Sequence, residues 1–310
     1  MRAPLGRLMR KKRALSAALL VVFLPWGAFA AEDDASAPVV ADTRAFLEEV
    51  RGNLQSDGAL LEQYTFSETY TERKLDGGGA VKKTKVETYE VYPSVEPRKM
   101  YRRLVARDGR PVSEKDLAQQ DKQYEEKMAA REVRRAARSE AERARREDEK
   151  RREERAVIDE VFLMDDFRIT GREMVEGRPT IVVEFSPKPG YKPVTEGGKL
   201  IQKLSGRAWI DEADRQLVRL ETQLLENLGV GPVRIARLQK GASAYFVRRK
   251  INDEIWLPTE ARFTGRAKIL LVFGGGLDVT SRYFDYRKFS VGTQEEVTPE
   301  TEVGPPSPGN

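Results

Sequence analysis

From Glu62 onward, apolar and polar positions change places at every second residue. Tyr64, Phe66 and Tyr70 alternate with Thr65, Ser67, Thr69 and Thr71, which is the period of a strand with one buried face. Asp76-Gly77-Gly78-Gly79 reads as a turn, Val86 to Tyr92 as the returning strand, and Lys99 to Ala106 as another strand ending at Asp108-Gly109. The same period returns after Asp166. Ile181, Val183 and Phe185 share a face of the segment Arg178 to Ser186, and Val218, Leu220, Thr222 and Leu224 share one in Gln216 to Leu225. A Gly-rich interval, Gly229 to Gly241, precedes a strand from Ala244 to Lys250 and a turn at Asn252-Asp253. Between Trp256 and Phe273, the odd positions Ala261, Phe263, Gly265, Ala267, Ile269, Leu271 and Phe273 are apolar, while Arg262, Thr264, Arg266 and Lys268 are polar. Gly274 to Gly276 reads as a hairpin turn into the last strand, Leu277 to Val291.

Two segments carry the helical period instead. Asp42 or Thr43 caps a short amphipathic helix with Phe46, Leu47, Val50 and Leu54 on one face. Between Ser113 and Asp165 there is no Gly and no Pro, and Ser113 with Asp116 forms a capping pair. Within this segment, fourteen of the eighteen residues from Ser139 to Ala156 are charged, seven of each sign. Glu142/Arg146, Glu147/Arg151 and Asp148/Arg152 sit at i,i+4, each pair contributing about 0.2–0.5 kcal/mol. Leu117, Tyr124, Met128 and Val133 make only a thin apolar stripe. A 40-residue helix of this kind reaches roughly 60 Å. It stands in solvent on its own ion pairs, or it pairs as a coiled coil. The expected organisation is a segment 1–30 for export, a linker 31–41, a β domain over 42–112 plus 166–291, a charged helical insertion over 113–165 and a disordered tail over 292–310.

Charge and composition narrow the function. The 310 residues carry a formal charge of +5. Six basic residues lie in 1–30, which also holds the apolar run Ala14 to Leu24 and the small residues Ala28-Phe29-Ala30. That order is the pattern of a cleaved secretory signal, so the protein is expected in the periplasm. Removing the segment takes the charge to −1, which argues against nucleic acid as a partner. Cysteine and histidine are both absent. No Ser-His-Asp or Cys-His arrangement can be built, nor any imidazole metal site. Catalytic residues, metal ligands and cofactors are therefore not expected, and no carboxylate pair stands out for glycoside hydrolysis. Asp165-Asp166 and Asp211 read as turn and capping residues. Trp209 and Trp256 read as core, and the stripe Arg262, Arg266 and Lys268 as a solvated face.

The hairpin S-G-R-A-W-I-D (Ser205–Asp211) with L-V-R-L-E (Leu217–Glu221), and the later E-I-W-L-P-T-E-A-R-F (Glu254–Phe263), resemble the LolA-like superfamily of periplasmic carriers. The resemblance spans about Gly206 to Phe289. It implies a mainly β (α+β) fold, a strongly curved antiparallel half-barrel with an N-terminal helix and, peculiar to this chain, the long charged insertion. It also implies a non-enzymatic protein that carries or senses a lipid or acylated protein cargo in an apolar cavity. The lining residues would be Ile181, Val183, Phe185, Val218, Leu220, Leu224, Phe263, Ile269, Leu271 and Phe273. Phe46, Leu47, Val50 and Leu54 would form a lid helix. The charged helix would meet the membrane surface or a protein partner. An envelope scaffold using that helix as a spacer is the alternative.

Overall fold

The computed structural model describes residues 40–54, 63–93, 100–136, 139–230, 236–269 and 272–288. Residues 1–30, most of 31–41 and the stretch 292–310, read above as export signal, linker and tail, lie outside them. The chain opens with α1 (Thr43–Asn53), then β1 (Tyr64–Leu75), β2 (Val81–Pro93), β3 (Met100–Arg107) and the two-residue β4 (Arg110–Pro111). Two helices follow, α2 (Glu114–Ala136) and α3 (Glu140–Met164). Next come β5 (Asp165–Val175), β6 (Arg178–Pro187), a short α4 (Glu196–Ile201), β7 (Leu204–Asp211) and β8 (Leu217–Leu224). The last strands are β9 (Leu228–Val230), β10 (Ala236–Leu238), β11 (Ser243–Ile251), β12 (Ile255–Ile269) and β13 (Val272–Lys288).

All the strands join one antiparallel sheet in the order β4-β3-β2-β1-β13-β12-β11-β8-β7-β6-β5, with β9 and β10 added beside β12. The path does not close, and the sheet is a curved half-barrel with β4 at one edge and β5 at the other. Short turns make most of these neighbours. Arg107 pairs with Arg110 across Asp108-Gly109, whose φ values of 47° and 76° are those of a tight hairpin.

Three features differ from the pattern read in the sequence. The glycines 274–276 are not a turn. Gly275 pairs with Ala267 and Gly276 with Arg266 inside β13, and the reversal falls between Ile269 and Val272. Glycine is needed there because a Cβ on Gly275 would sit 2.8 Å from the Leu75 carbonyl oxygen. The Gly-rich interval after Leu225 contributes β9 and β10 rather than only a loop. The helical insertion consists of two helices, with Ser139 capping the second through the Glu142 amide, 3.2 Å away.

The helices are held by polar grips as much as by burial. Asp42 caps α1 by accepting from the amides of Arg44 and Ala45, and the helix buries Phe46 and Val50. Ser113 caps α2, its Oγ accepting from the Asp116 amide at 3.2 Å and donating to the Asp116 carboxylate at 2.8 Å. Gln120 of α2 then completes the open edge of β3. Its amide oxygen accepts from the Leu104 N–H and its nitrogen donates to the Leu104 C=O, both at 3.1 Å. An edge strand with its backbone occupied in this way is a poor template for further pairing. Asp121 accepts from Tyr101 and Arg103, and Tyr124 stacks on Tyr101 at 3.9 Å between ring centroids. In α3, Arg146 pairs with Glu142 at i,i+4, whereas Arg151 takes Asp148 at i,i+3 in place of Glu147. This helix is exposed along most of Glu140 to Ala156 and anchors only near its end, where Glu160 and Met164 are buried.

Candidate functional site

The two faces of the sheet differ in chemistry. On one face, Val175, Val182, Trp209, Val218, Val247 and Trp256 form a buried plug contributed by six successive strands. Arg178 of β6 lies over the Trp256 ring of β12 at 5.3 Å. Those strands are four steps apart, or about 19 Å in a flat sheet, so the sheet rolls toward this face. Each tryptophan satisfies its N–H: Trp209 on Glu173 at 2.8 Å and Trp256 on Asp214 at 3.0 Å. Both are core residues.

Beyond the plug the same face opens into a cavity of about 1160 Å³. Arg168, Arg207, Arg219 and Arg262 line it together with Asp166, Glu184, Glu221 and Glu260. Four cations against four carboxylates leave no net charge. The pairs are Arg168–Glu184, Arg219–Glu221, Arg207–Glu221 at 3.7 Å and Arg262–Glu260 at 3.0 Å. Arg219 also lies over Trp209 at 4.3 Å and Tyr245 at 5.4 Å. The wall is polar and electrostatically self-contained.

The opposite face is the one on which α1 packs. Phe46 and Val50 close over Ile181, Val183 and Ile210, joined at the margin by Leu47, by Phe162 from the end of α3, and by Leu217. From there the strand registers carry an apolar band across the sheet. One ladder runs Val183, Ala208, Leu220, Phe246, Ala261, Ser281, Tyr70, Glu87, Arg107. The next runs Phe185, Gly206, Thr222, Ala244, Phe263, Val279, Glu72, Lys85. Leu220, Phe246, Phe263 and Val279 are half-buried and belong to none of the three buried clusters.

The residues singled out as a lining are thus distributed. Ile181 and Val183 lie beneath α1, and Phe185, Leu220 and Phe263 occupy the band. Phe185 also borders the cavity, Val218 belongs to the plug and Leu224 is buried at the end of β8. Leu271 and the side chains of Ile269 and Phe273 lie outside the described residues. On α1, Phe46 and Val50 are buried, Leu47 packs at their margin and Leu54 is exposed at the C-cap. Phe246 and Val279 join the band only through cross-strand register, although the alternation around each was legible.

The band ends in a charged network on β1–β3. Glu68 accepts from Arg102 and Ser281, each at 2.8 Å. Glu87 meets Lys85 at 2.8 Å, Tyr89 at 2.6 Å and Arg107 at 3.5 Å. Burial pushes the Glu87 carboxyl up, but the hydrogen bonds from Lys85 and Tyr89 outweigh it and the net shift is downward. Among the described residues, no group of three or more acidic side chains could hold a metal ion, and no helix is long and apolar enough to cross a membrane.

No protein-family model and no curated protein matches the chain. Among solved structures it is similar to a DUF1329 family protein from Desulfovibrio piger, at 11% identity over 81% of this chain and 94% of the other, with a TM-score of 0.30. It is also similar to a domain described as an outer membrane lipoprotein-sorting protein from Vibrio parahaemolyticus, at 10% identity over 81% and 93% with a TM-score of 0.30. A chain of the Pseudomonas aeruginosa MucA/MucB complex aligns at 11% identity over 80% and 99%, with a TM-score of 0.24.

Proposed function

We propose that this is a non-enzymatic binding protein of the periplasm that carries or senses a lipid or acylated cargo. The observation supporting this reading is the band of half-buried apolar side chains from Phe185 to Val279. It crosses β6, β7, β8, β11, β12 and β13, a width of about 24 Å. One leaflet of a bilayer's hydrocarbon core is roughly 15 Å thick, so an acyl chain fits along the band. Each CH₂ it withdraws from water is worth about 0.8 kcal/mol. A contiguous apolar surface of this kind on a soluble chain is a binding surface before it is anything else.

Helix α1 acts as the lid. It covers the end of the band at Ile181 and Val183, and polar contacts fasten it to the β7–β8 turn: Arg215 to Glu49 at 2.7 Å and Asn53 to the Asp214 carbonyl at 3.0 Å. Lifting it would lengthen the apolar surface. Phe263→Asp and Leu220→Asp should each weaken binding of a fluorescent long-chain acyl probe by at least about tenfold, the cost of setting a charge on that surface. Lys122→Glu, on the exposed side of α2, should leave it unchanged. Equal behaviour of all three variants would remove the band from the mechanism.

A further inference from the structure

We infer that the cargo bears an anionic headgroup, seated at the β1–β3 end of the apolar band; this rests on the proposed reading of that band as the acyl site. The registers place charge directly in line with it. Phe263, Val279, Glu72 and Lys85 occupy four successive strands of one ladder, so Phe263 and Lys85 stand about 14 Å apart. The neighbouring ladders end on Leu277, Lys74 and Lys83, and on Tyr70, Glu87 and Arg107. With Arg102 over Glu68, this end holds five cations, Lys74, Lys83, Lys85, Arg102 and Arg107, against the carboxylates Glu68, Glu72 and Glu87. Five against three leaves +2.

The charges are also layered. Glu68 and Glu87 are 5% and 4% exposed, while the side chains of Arg102 and Arg107, which pair with them, are 44% and 68% exposed; Lys74, on the less buried Glu72, is 61% exposed. The carboxylates lie against the sheet and orient the cations outward, so the surface offered to a ligand is positive. A phosphate or carboxylate headgroup meets that surface with its chain lying along Val279, Phe263 and Phe246. The large cavity on the other face cannot make this choice of sign, because its four cations and four carboxylates cancel.

The test uses dispersed short-chain phosphatidylglycerol and phosphatidylcholine of equal chain length, titrated calorimetrically into the full mature chain at about 0.1 M salt. Wild type should bind the anionic lipid at least about tenfold more tightly, and Lys74→Gln/Lys83→Gln, both at exposed positions, should reduce that preference to about threefold or less. Phe263→Asp should lose both lipids. Equal affinity of wild type for the two lipids overturns the headgroup site while the acyl band stands. A preference that survives the double glutamine variant overturns it as well. Binding of neither lipid overturns the band and the headgroup site together. Capture only by phosphatidylglycerol vesicles, with no binding of dispersed lipid, replaces the site with docking on a membrane surface.

Discussion

Two aspartates at similar depth respond to pH in opposite directions. Asp211 is fully buried at the β7–β8 turn, and accepts from Arg178 at 2.6 and 3.0 Å and from the amides of Ala213 and Asp214. Burial raises its pKa, but these hydrogen bonds outweigh burial and lower it overall. Its contribution is therefore present above the ordinary aspartate range and is lost as pH falls below about 4. Asp165, where α3 passes into β5, has both carboxylate oxygens buried without a hydrogen-bond partner. Burial pushes its pKa up to about 6, with the Lys188 charge opposing. The folded state then holds a proton that the unfolded chain has released, so stability falls as pH rises from about 4 to about 6. Asp165→Asn should remove that slope and raise stability at pH 7.5 by about 1–3 kcal/mol, read from urea denaturation at pH 5 and 7.5. An asparagine variant with the wild-type slope would show that another group titrates. Asp211→Ala should instead cost about 2–4 kcal/mol at neutral pH, since it strands two buried amides and leaves Arg178 with only the more distant Asp214 carboxylate at 3.6 Å.

At the scale of elements, α1 was legible from its apolar spacing and its Asp42 cap, and Phe46, Leu47 and Val50 do form its packed face. Leu54 keeps the spacing but falls at the C-cap, past the packed turns of the helix, and is 39% exposed. Phe46→Ala should therefore cost about 3–4 kcal/mol in a denaturant titration, and Leu54→Ala less than about 0.5 kcal/mol. Similar losses at both positions would mean that α1 docks by more than its middle turn. The glycines 274–276 misled for a physical reason. A run of glycine marks a turn when conformational freedom is what the chain needs, and here the need is a close approach of β1 to β13. Local composition is the same in both cases.

For the whole molecule, the notable fact is where the charged helices attach. Helix α2 leaves from β4 at one edge of the sheet and α3 enters β5 at the other, so the insertion connects the two ends of the unclosed half-barrel. It is not what holds the halves together. Strands β1 and β13, from opposite ends of the sequence, pair at eleven positions. A chain cut between α2 and α3 should therefore elute as one particle in size-exclusion chromatography, with both fragments present. Separation of the fragments would show that the helical connection carries the association. By itself, the sequence determined the antiparallel β character, the helix starts at Asp42 and Ser113, the tight turn at Asp108-Gly109 and the absence of His and Cys chemistry, because each depends on residues within a few positions of one another. It could not determine which alternating segments share a ladder, that Val218 turns to the plug while Leu220 joins the band, or that the band ends on Lys85 and Arg107. Those follow from register and from a β-bulge between β7 and β8, which only the pairing of strands distant in sequence decides.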